Sequence, residues 1–301
     1  MDAAVPIGET LGAAQEESPA EAATVLRMLL GAQLRRLREA AQISAEKAGY
    51  EIRASRSKIS RMETGRVSCK LRDVEDLLTL YGVTDDRERA KVTALAGRSR
   101  EPSWWTQYND ILPDWFENYL GLESAATSIR SFEAQFVPGL FQTEDYARAI
   151  TRLGHQTAPE PEVERRVRLR LERQELLRRA QPPRIWVVMD EAVLRRPVGG
   201  AAVMRAQLHH LAEAARQPGV TLQVVPFARG GHAAASGSFS ILRFEDHDLP
   251  DVVYMEQLTS AVYLDQRPDV EHYLEVADQL SGRALTAAET ARFIHQVTHE
   301  T

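Results

Sequence analysis

Apolar residues recur at helical spacing from Val25 onward. Leu26, Leu30, Leu34 and Leu37 fall four and three apart, with Arg35, Arg36 and Arg38 on the other side, which predicts an amphipathic helix. Two short helices follow. Ser44 is placed to cap the first, which turns Ala48 and Ile52 inward. Ser55 is placed to cap the second, in which Ile59 and Met62 share a face. A fourth helix over residues 71–81 turns Val74, Leu77, Leu78 and Tyr81 inward and ends at Gly82. A fifth opens at Asp85 or Asp86, carries Val92 and Leu95, and stops near Gly97. These five predict an all-α domain over residues 25–100.

The pattern then changes. Residues 101–127 form an aromatic-rich connector in which Trp104, Trp105, Tyr108, Trp115, Phe116 and Tyr119 are too apolar for a free linker. They are expected to pack in a core or an interface, because Asp110, Asp114 and Glu117 among them would repel a nucleic acid. Residues 128–137 alternate apolar and polar as a strand does. Helices are expected over 144–153 and 161–180, and a buried central strand at 185–189, IWVVM. A helix over 201–216 and strands at 220–227, 238–245, 252–258 and 261–264 follow. Helices over 270–280 and 286–299 close the chain, the last with Thr286 and Glu289 as a capping box. Residues 128–301 therefore read as an α+β domain with a mixed or antiparallel sheet.

Charge sharpens the picture. The net charge of −6 hides a basic segment: residues 25–100 hold 17 Lys/Arg against 10 Asp/Glu. Residues 1–24 hold five acids and no base, and read as a disordered acidic tail. They lack the basic-then-apolar layout of a secretory signal. No apolar run approaches the roughly 18 residues of a membrane span. A single cysteine, Cys69, excludes an intrachain disulfide and fits a cytoplasmic home.

The basic charge centres on residues 44–65, SAEKAGYEIRASRSKISRMETG. The outward face of its second helix carries Ser57, Ser60 and Arg61, flanked by Arg56 and Lys58, with no apolar residue and no acid. Arg56 and Lys58 lie in the first turn, where the helix dipole disfavours cations, so a phosphate or a guanine edge is the natural partner. Gly49 suits a close helix approach. The alternative is a solvated helical hairpin within a larger bundle. In the loop after Gly65, Arg66 and Lys70 are within reach of a nucleic-acid backbone.

This stretch resembles the helix-turn-helix of the Xre (phage-repressor-like) regulators, and KISRMETG matches their usual recognition-helix ending. Three positions depart from that pattern. Arg53 stands where a turn glycine is usual, Gly49 replaces an alanine, and Ala45 replaces a phosphate-touching glutamine. Further on, FEAQFVPGLFQTEDYARAI, VRLRLERQELL, IWVVMDEAVLRRPVGG and DVVYMEQLT resemble the blocks of a domain of unknown function. That domain follows an Xre helix-turn-helix in actinobacterial WhiJ-like regulators. The resemblance implies double-stranded DNA as a partner, often with a small partner protein encoded nearby in an antitoxin-like arrangement. It implies no reaction and no cofactor.

The residues that could carry chemistry point the same way. All four lysines lie at or before Lys91, so residues 101–301 offer no P-loop or Schiff-base lysine, and Cys69 lies outside them too. Asp190, Glu191, Glu245 and Asp246 end strands, a place that suits Mg²⁺ but equally suits water. His295 and His299 lie four apart without the intervening glutamate of a zinc protease, and the Gly-rich loop 229–238 lacks a phosphate-cradle context. No catalytic, metal or cofactor site is expected.

The reading is a sequence-specific DNA-binding regulator. Arg56 and Arg61 are expected at base edges and Ser57 and Ser60 at shorter contacts. Lys58 and the helix N-terminus at Ser55 are expected at phosphates. Residues 101–301 are expected to form a homodimer and to receive a partner protein or ligand. The alternatives are an antitoxin-like module that sequesters a small partner, and a DNA-targeted enzyme.

Overall fold

The structure is a computed structural model that describes residues 19–100, 103–234, 237–245 and 249–301. Residues 1–18 of the expected tail lie outside the described residues, as do residues 101–102, residues 235–236 of the Gly-rich loop, and Asp246.

Five helices open the fold: α1 (Pro19–Ala40), α2 (Ala45–Glu51), α3 (Arg56–Glu63), α4 (Leu71–Leu80) and α5 (Asp86–Arg98). The first begins at Pro19, earlier than the apolar period announces. Proline at the first helical position and the alanines behind it favour a helix without contributing to that period. Leu30, Leu34, Ala48, Ile59, Met62, Val74, Leu77, Leu78 and Val92 form one buried core. Ile52, expected beside Ala48, is only half-buried because it is the C-cap residue of α2. Arg38 on α1 makes a two-pronged ion pair with Glu63 at 2.6 and 2.9 Å, which fastens α1 to the end of α3.

The connector holds a short 3₁₀ turn (Trp104–Tyr108) and α6 (Asp114–Ala125), a helix that the sequence pattern does not separate out. Its aromatics are spent inside the chain. Trp105, Tyr108, Ile111, Leu112 and Leu120 pack with Leu169, and Tyr119 joins the main core. The sheet consists of β1 (Ser128–Glu133), β2 (Arg184–Asp190), β3 (Val220–Val225), β4 (Phe239–Arg243), β5 (Val252–Glu256) and β6 (Ala261–Leu264). Its order is β3-β2-β1-β4-β5-β6. β1, β2 and β3 run parallel, while β4, β5 and β6 join antiparallel, so the sheet is mixed. α7 (Glu144–Gly154) and α8 (Glu160–Arg173) connect β1 to β2; α9 (Glu191–Arg195) and α10 (Ala201–Ala214) connect β2 to β3. α11 (Arg267–Arg283) and α12 (Ala287–Glu300) complete the chain.

Two cores flank the sheet. On one face Ile129, Val187, Met189, Val224 and Leu242 pack with α6, α7, α10 and α12. On the other, Phe132, Val188, Phe239 and Val253 meet Val270, Ala277 and Leu280 of α11. The central strand is less uniformly buried than IWVVM predicts. Trp186 stays partly exposed, with Arg130 over its ring at 4.9 Å and its indole N–H on Gln223 at 2.7 Å. Helix α8 ends at Arg173, short of the expected Ala180, and passes into a 3₁₀ turn.

Both sheet edges meet other parts of the chain. On β3, Val224 N–H donates to Thr290 Oγ1 at 3.2 Å, and Leu285 N–H donates to Val224 O at 2.8 Å. On β6, the Tyr263 carbonyl accepts from Arg66 Nη2 at 2.8 Å, so the helical domain touches the other edge at one point. α1 is shared between the two parts. Leu30 and Leu34 serve the helical core, whereas Met28 belongs to the core of the α+β part.

Candidate nucleic-acid interface

Helices α2 and α3 make the paired arrangement that residues 44–65 predict. Ser44 Oγ accepts from Lys47 N–H and Ser55 Oγ accepts from Lys58 N–H, each at 3.2 Å, so both serines cap as expected. The turn between the helices is a Schellman motif: Arg53 N–H bonds Tyr50 O at 3.1 Å and Ala54 N–H bonds Gly49 O at 2.7 Å. It places Arg53 at φ +53°, the left-handed conformation that a glycine would adopt without strain. Gly49 faces the same turn. A Cβ there would lie 2.7 Å from Ala54 O, so the close approach needs glycine.

Helix α3 buries Ile59 and Met62 and exposes Arg56, Ser57, Ser60 and Arg61. The exposed face is the one predicted, but its charges are not all free. Arg56 Nη1 lies 3.1 Å from Glu46 of α2, with both side chains largely in solvent. Water screens such a pair, so a phosphate or base can displace it at little cost. Lys58 is half-buried and its Nζ lies 3.3 Å from Asp73 of α4, a more sheltered carboxylate. The α3 face has no acid of its own; α2 and α4 supply these two. The side chain of Arg61 is exposed and has no hydrogen-bond or ion-pair partner among the described residues.

Ser55 spends its hydroxyl on the cap. What its end of α3 offers an anion is the unpaired backbone N–H of Arg56 and Ser57. A second Schellman motif closes α3, with Gly65 N–H on Met62 O at 3.1 Å and Arg66 N–H on Arg61 O at 2.8 Å. Gly65 (φ +69°) presses on Met28 of α1. This geometry throws Arg66 onto β6, where it bonds the Tyr263 carbonyl and lies over the Tyr263 ring at 5.3 Å. Arg66 is therefore held by the C-terminal sheet rather than presented as a free loop cation. Lys70 remains exposed.

Tyr50 is a surface residue that the sequence pattern did not single out. It is 85% exposed on α2, beside the exposed Arg53 and the start of α3. The signal was present: with Ala48 and Gly49 turned inward, helical phase sends Tyr50 outward. Cys69 is buried, and desolvation pushes its thiol up to about 11, away from thiolate reactivity.

In the α+β part, the two acids that follow β2 have structural partners, while Glu245 is exposed. Asp190 caps α9 through Ala192 N–H at 2.8 Å and lies 3.5 Å from His232 Nε2. Glu191 is buried and accepts from Arg195 Nε at 2.5 Å and Phe227 N–H at 2.7 Å. His295 and His299 are both exposed on α12. No group of three or more potential metal ligands occurs among the described residues. No described helix is long and apolar enough to cross a membrane.

Two stretches of the chain match models of known families. Residues 29–92 match a model described as a helix-turn-helix domain, which makes a DNA-binding regulator the class of protein indicated. No curated protein matches the chain, and no solved structure does. Residues 116–296, more than half of the chain, match a model described as a domain of unknown function, DUF5753, and the protein belongs to that family.

Proposed function

We propose that the protein is a sequence-specific transcriptional regulator of the Xre type, related to the WhiJ-like regulators, that reads DNA with α3. The carrying observation is the exposed α3 face, on which Arg61 has no acidic partner while the apolar side is locked in the core. Arg61, with Arg56 once released from Glu46, forks onto guanine O6 and N7. Ser57 and Ser60 make shorter contacts. The N-terminus of α3 at Ser55 holds a phosphate, and Lys58 supplements it if Asp73 yields.

One recognition helix reads too few base pairs to define an operator, so pairing of two copies about one DNA turn, roughly 34 Å, apart is part of the proposal. Residues 101–301 hold the pair together and receive a small partner protein or ligand. The aromatics of residues 104–119 do not supply that dimer surface, since Trp105, Tyr108 and Tyr119 are buried within the chain and Trp104, Trp115 and Phe116 pack half-buried against the same cores.

The test is binding to DNA upstream of the protein's own or a neighbouring gene, measured by fluorescence anisotropy against random DNA. Arg61→Ala should cost about 1–3 kcal/mol on the specific site, mostly as lost discrimination. Equal loss on specific and random DNA would remove Arg61 from the base-reading set.

A further inference from the structure

The face of β1, β4 and β5 that looks toward α6 and α8 changes character along its length. At one end Ile129, Leu242 and Val252 lie side by side and buried, as a sheet-to-helix core requires. Two residues on, the same face carries Ser131, Ser240 and Tyr254 in one rung. At the strand ends it carries Glu133, Ser238 and Glu256; Ser238 Oγ accepts from Ala134 N–H at 3.1 Å, which holds the ends of β1 and β4 together. Ser240 is buried and Ser131 and Glu133 are half-buried, while Ser238 and Glu256 at the rim are exposed, so this polar end of the face meets solvent.

Helix α8 lays two arginines over this polar end. Arg173 is satisfied: it forks onto the buried Glu123 at 2.8 and 2.9 Å and lies over Phe116 and Tyr119. Arg170 is not. Its Nη1 donates to Gln142 Oε1 at 2.8 Å, and no carboxylate lies within ion-pair distance among the described residues. Gln142 is itself fixed, buried with its Nε2 on Val137 O at 2.6 Å, so its oxygen stays aimed at Arg170. The Nε and Nη2 of Arg170 have no acceptor among the described residues.

Arg170 is half-buried and keeps two donor nitrogens unmatched beside the polar end of the sheet. Burial lowers Arg170 to about 10, so it stays charged at neutral pH, and burial lifts Glu133 to about 8.

We propose that this polar end of the sheet binds a small molecule whose anionic group, carboxylate or phosphate, pairs with Arg170 and whose amine or hydroxyl donors face Glu133 and Glu256. An amino acid and a sugar phosphate are the two sources of that chemistry. The inference rests on reading residues 101–301 as the ligand- or partner-receiving part, and it is independent of how α3 meets DNA.

The experiment follows thermal unfolding of the full chain without DNA. The probes are acetate, inorganic phosphate, glycine and glucose 6-phosphate, at ionic strength matched with chloride. At least one should raise Tm, by about 2 °C for each tenfold increase in concentration above its Kd. A larger response to glycine identifies the amino-acid class, and one to glucose 6-phosphate the sugar-phosphate class. A response confined to acetate and phosphate overturns the donor half of the proposal. Arg170→Gln should abolish the rise; if that variant does not fold, Arg170→Lys should weaken binding about tenfold, since it keeps the charge and loses the fork. No rise with any probe, or equal rises in wild type and the Arg170 variant, overturns the proposal. Because no DNA is present, such a failure leaves the role of α3 untouched, and a failed Arg61→Ala test leaves this site standing.

Discussion

Replacing Arg53 with glycine should stabilise the protein, although it removes a charged side chain from the motif most concerned with DNA. Arg53 sits at φ +53° in the turn between α2 and α3. For a residue with a Cβ, that conformation costs about 1–2 kcal/mol. Glycine relieves the strain and gives back about 0.4–1 kcal/mol through the freer unfolded chain. Arg53 is exposed and its side chain makes no hydrogen bond or ion pair among the described residues, so no other interaction enters the balance. The net gain is about 0.5–1 kcal/mol, a rise of roughly 1–4 °C in Tm. Urea denaturation gives the free energy directly, with an unchanged m-value expected. The same variant removes one cation beside the start of α3, so it should bind random DNA slightly more weakly with a shallower salt dependence. A loss of stability would show that the Arg53 side chain holds the turn, and that relief of backbone strain is the smaller of the two effects there.

Three further outcomes are expected. Gly49→Ala should destabilise by about 1–3 kcal/mol, read by urea denaturation, because its Cβ would lie 2.7 Å from Ala54 O and backbone cannot swing away as a flexible side chain can. Glu133 should make stability fall with pH: its folded pKa of about 8 exceeds the ordinary 4.5, so its contribution is full below about 4.5 and is lost as pH rises to about 8. Denaturation across pH 4–9 should show wild type losing stability relative to Glu133→Gln over that window and no further above it. Arg66→Ala should lower operator affinity while leaving the slope of log K against log salt unchanged.

Most of the architecture was legible because it rests on period. The strands were announced by alternation or by continuous apolar runs, and most helices by three-and-four spacing or by Ser and Thr at their starts; Thr286 and Glu289 form the capping box they spell out. What was not legible lacks a local signature. Helix α6 has no exposed face among its described residues, since it packs on α1 and into the main core and buries even Glu123 and Ser124, so no solvent-facing polar stripe marks its phase. α9 has only five residues, too few for a period. The pairing of Lys58 with Asp73 and of Arg56 with Glu46 is tertiary, and a face that is free of acids along one helix says nothing of its neighbours. Arg66 shows the same limit over a longer range: its partner is Tyr263, on the far edge of the sheet.

That contact bears on how the two parts communicate. The end of α3 is fixed three times: by Glu63 to Arg38 of α1, by Gly65 against Met28, and by Arg66 to the edge of β6. The first two tie α3 to α1, and the third ties it to the C-terminal sheet. Tyr263 is in turn held by its hydroxyl on Trp115 O and by contact with Tyr254, which stacks on Tyr119 at 4.1 Å and donates to Glu256 at 3.0 Å. Adjacency alone does not make these residues a signalling route; coupling requires an element with two arrangements that both sites bias. Arg66 would be such an element only if DNA binding drew its guanidinium away from the Tyr263 carbonyl onto a phosphate. If docking on β6 persists in the DNA complex, Arg66 releases no counterion, and its loss weakens binding only by loosening the orientation of α3. If DNA takes Arg66 from β6, its loss reduces the salt slope by about one phosphate's worth. In that second case any ligand that tightens β6 would oppose DNA binding by the difference in its affinity for the two states. The salt slope of Arg66→Ala therefore decides whether the C-terminal sheet orients the recognition helix or competes with DNA for it.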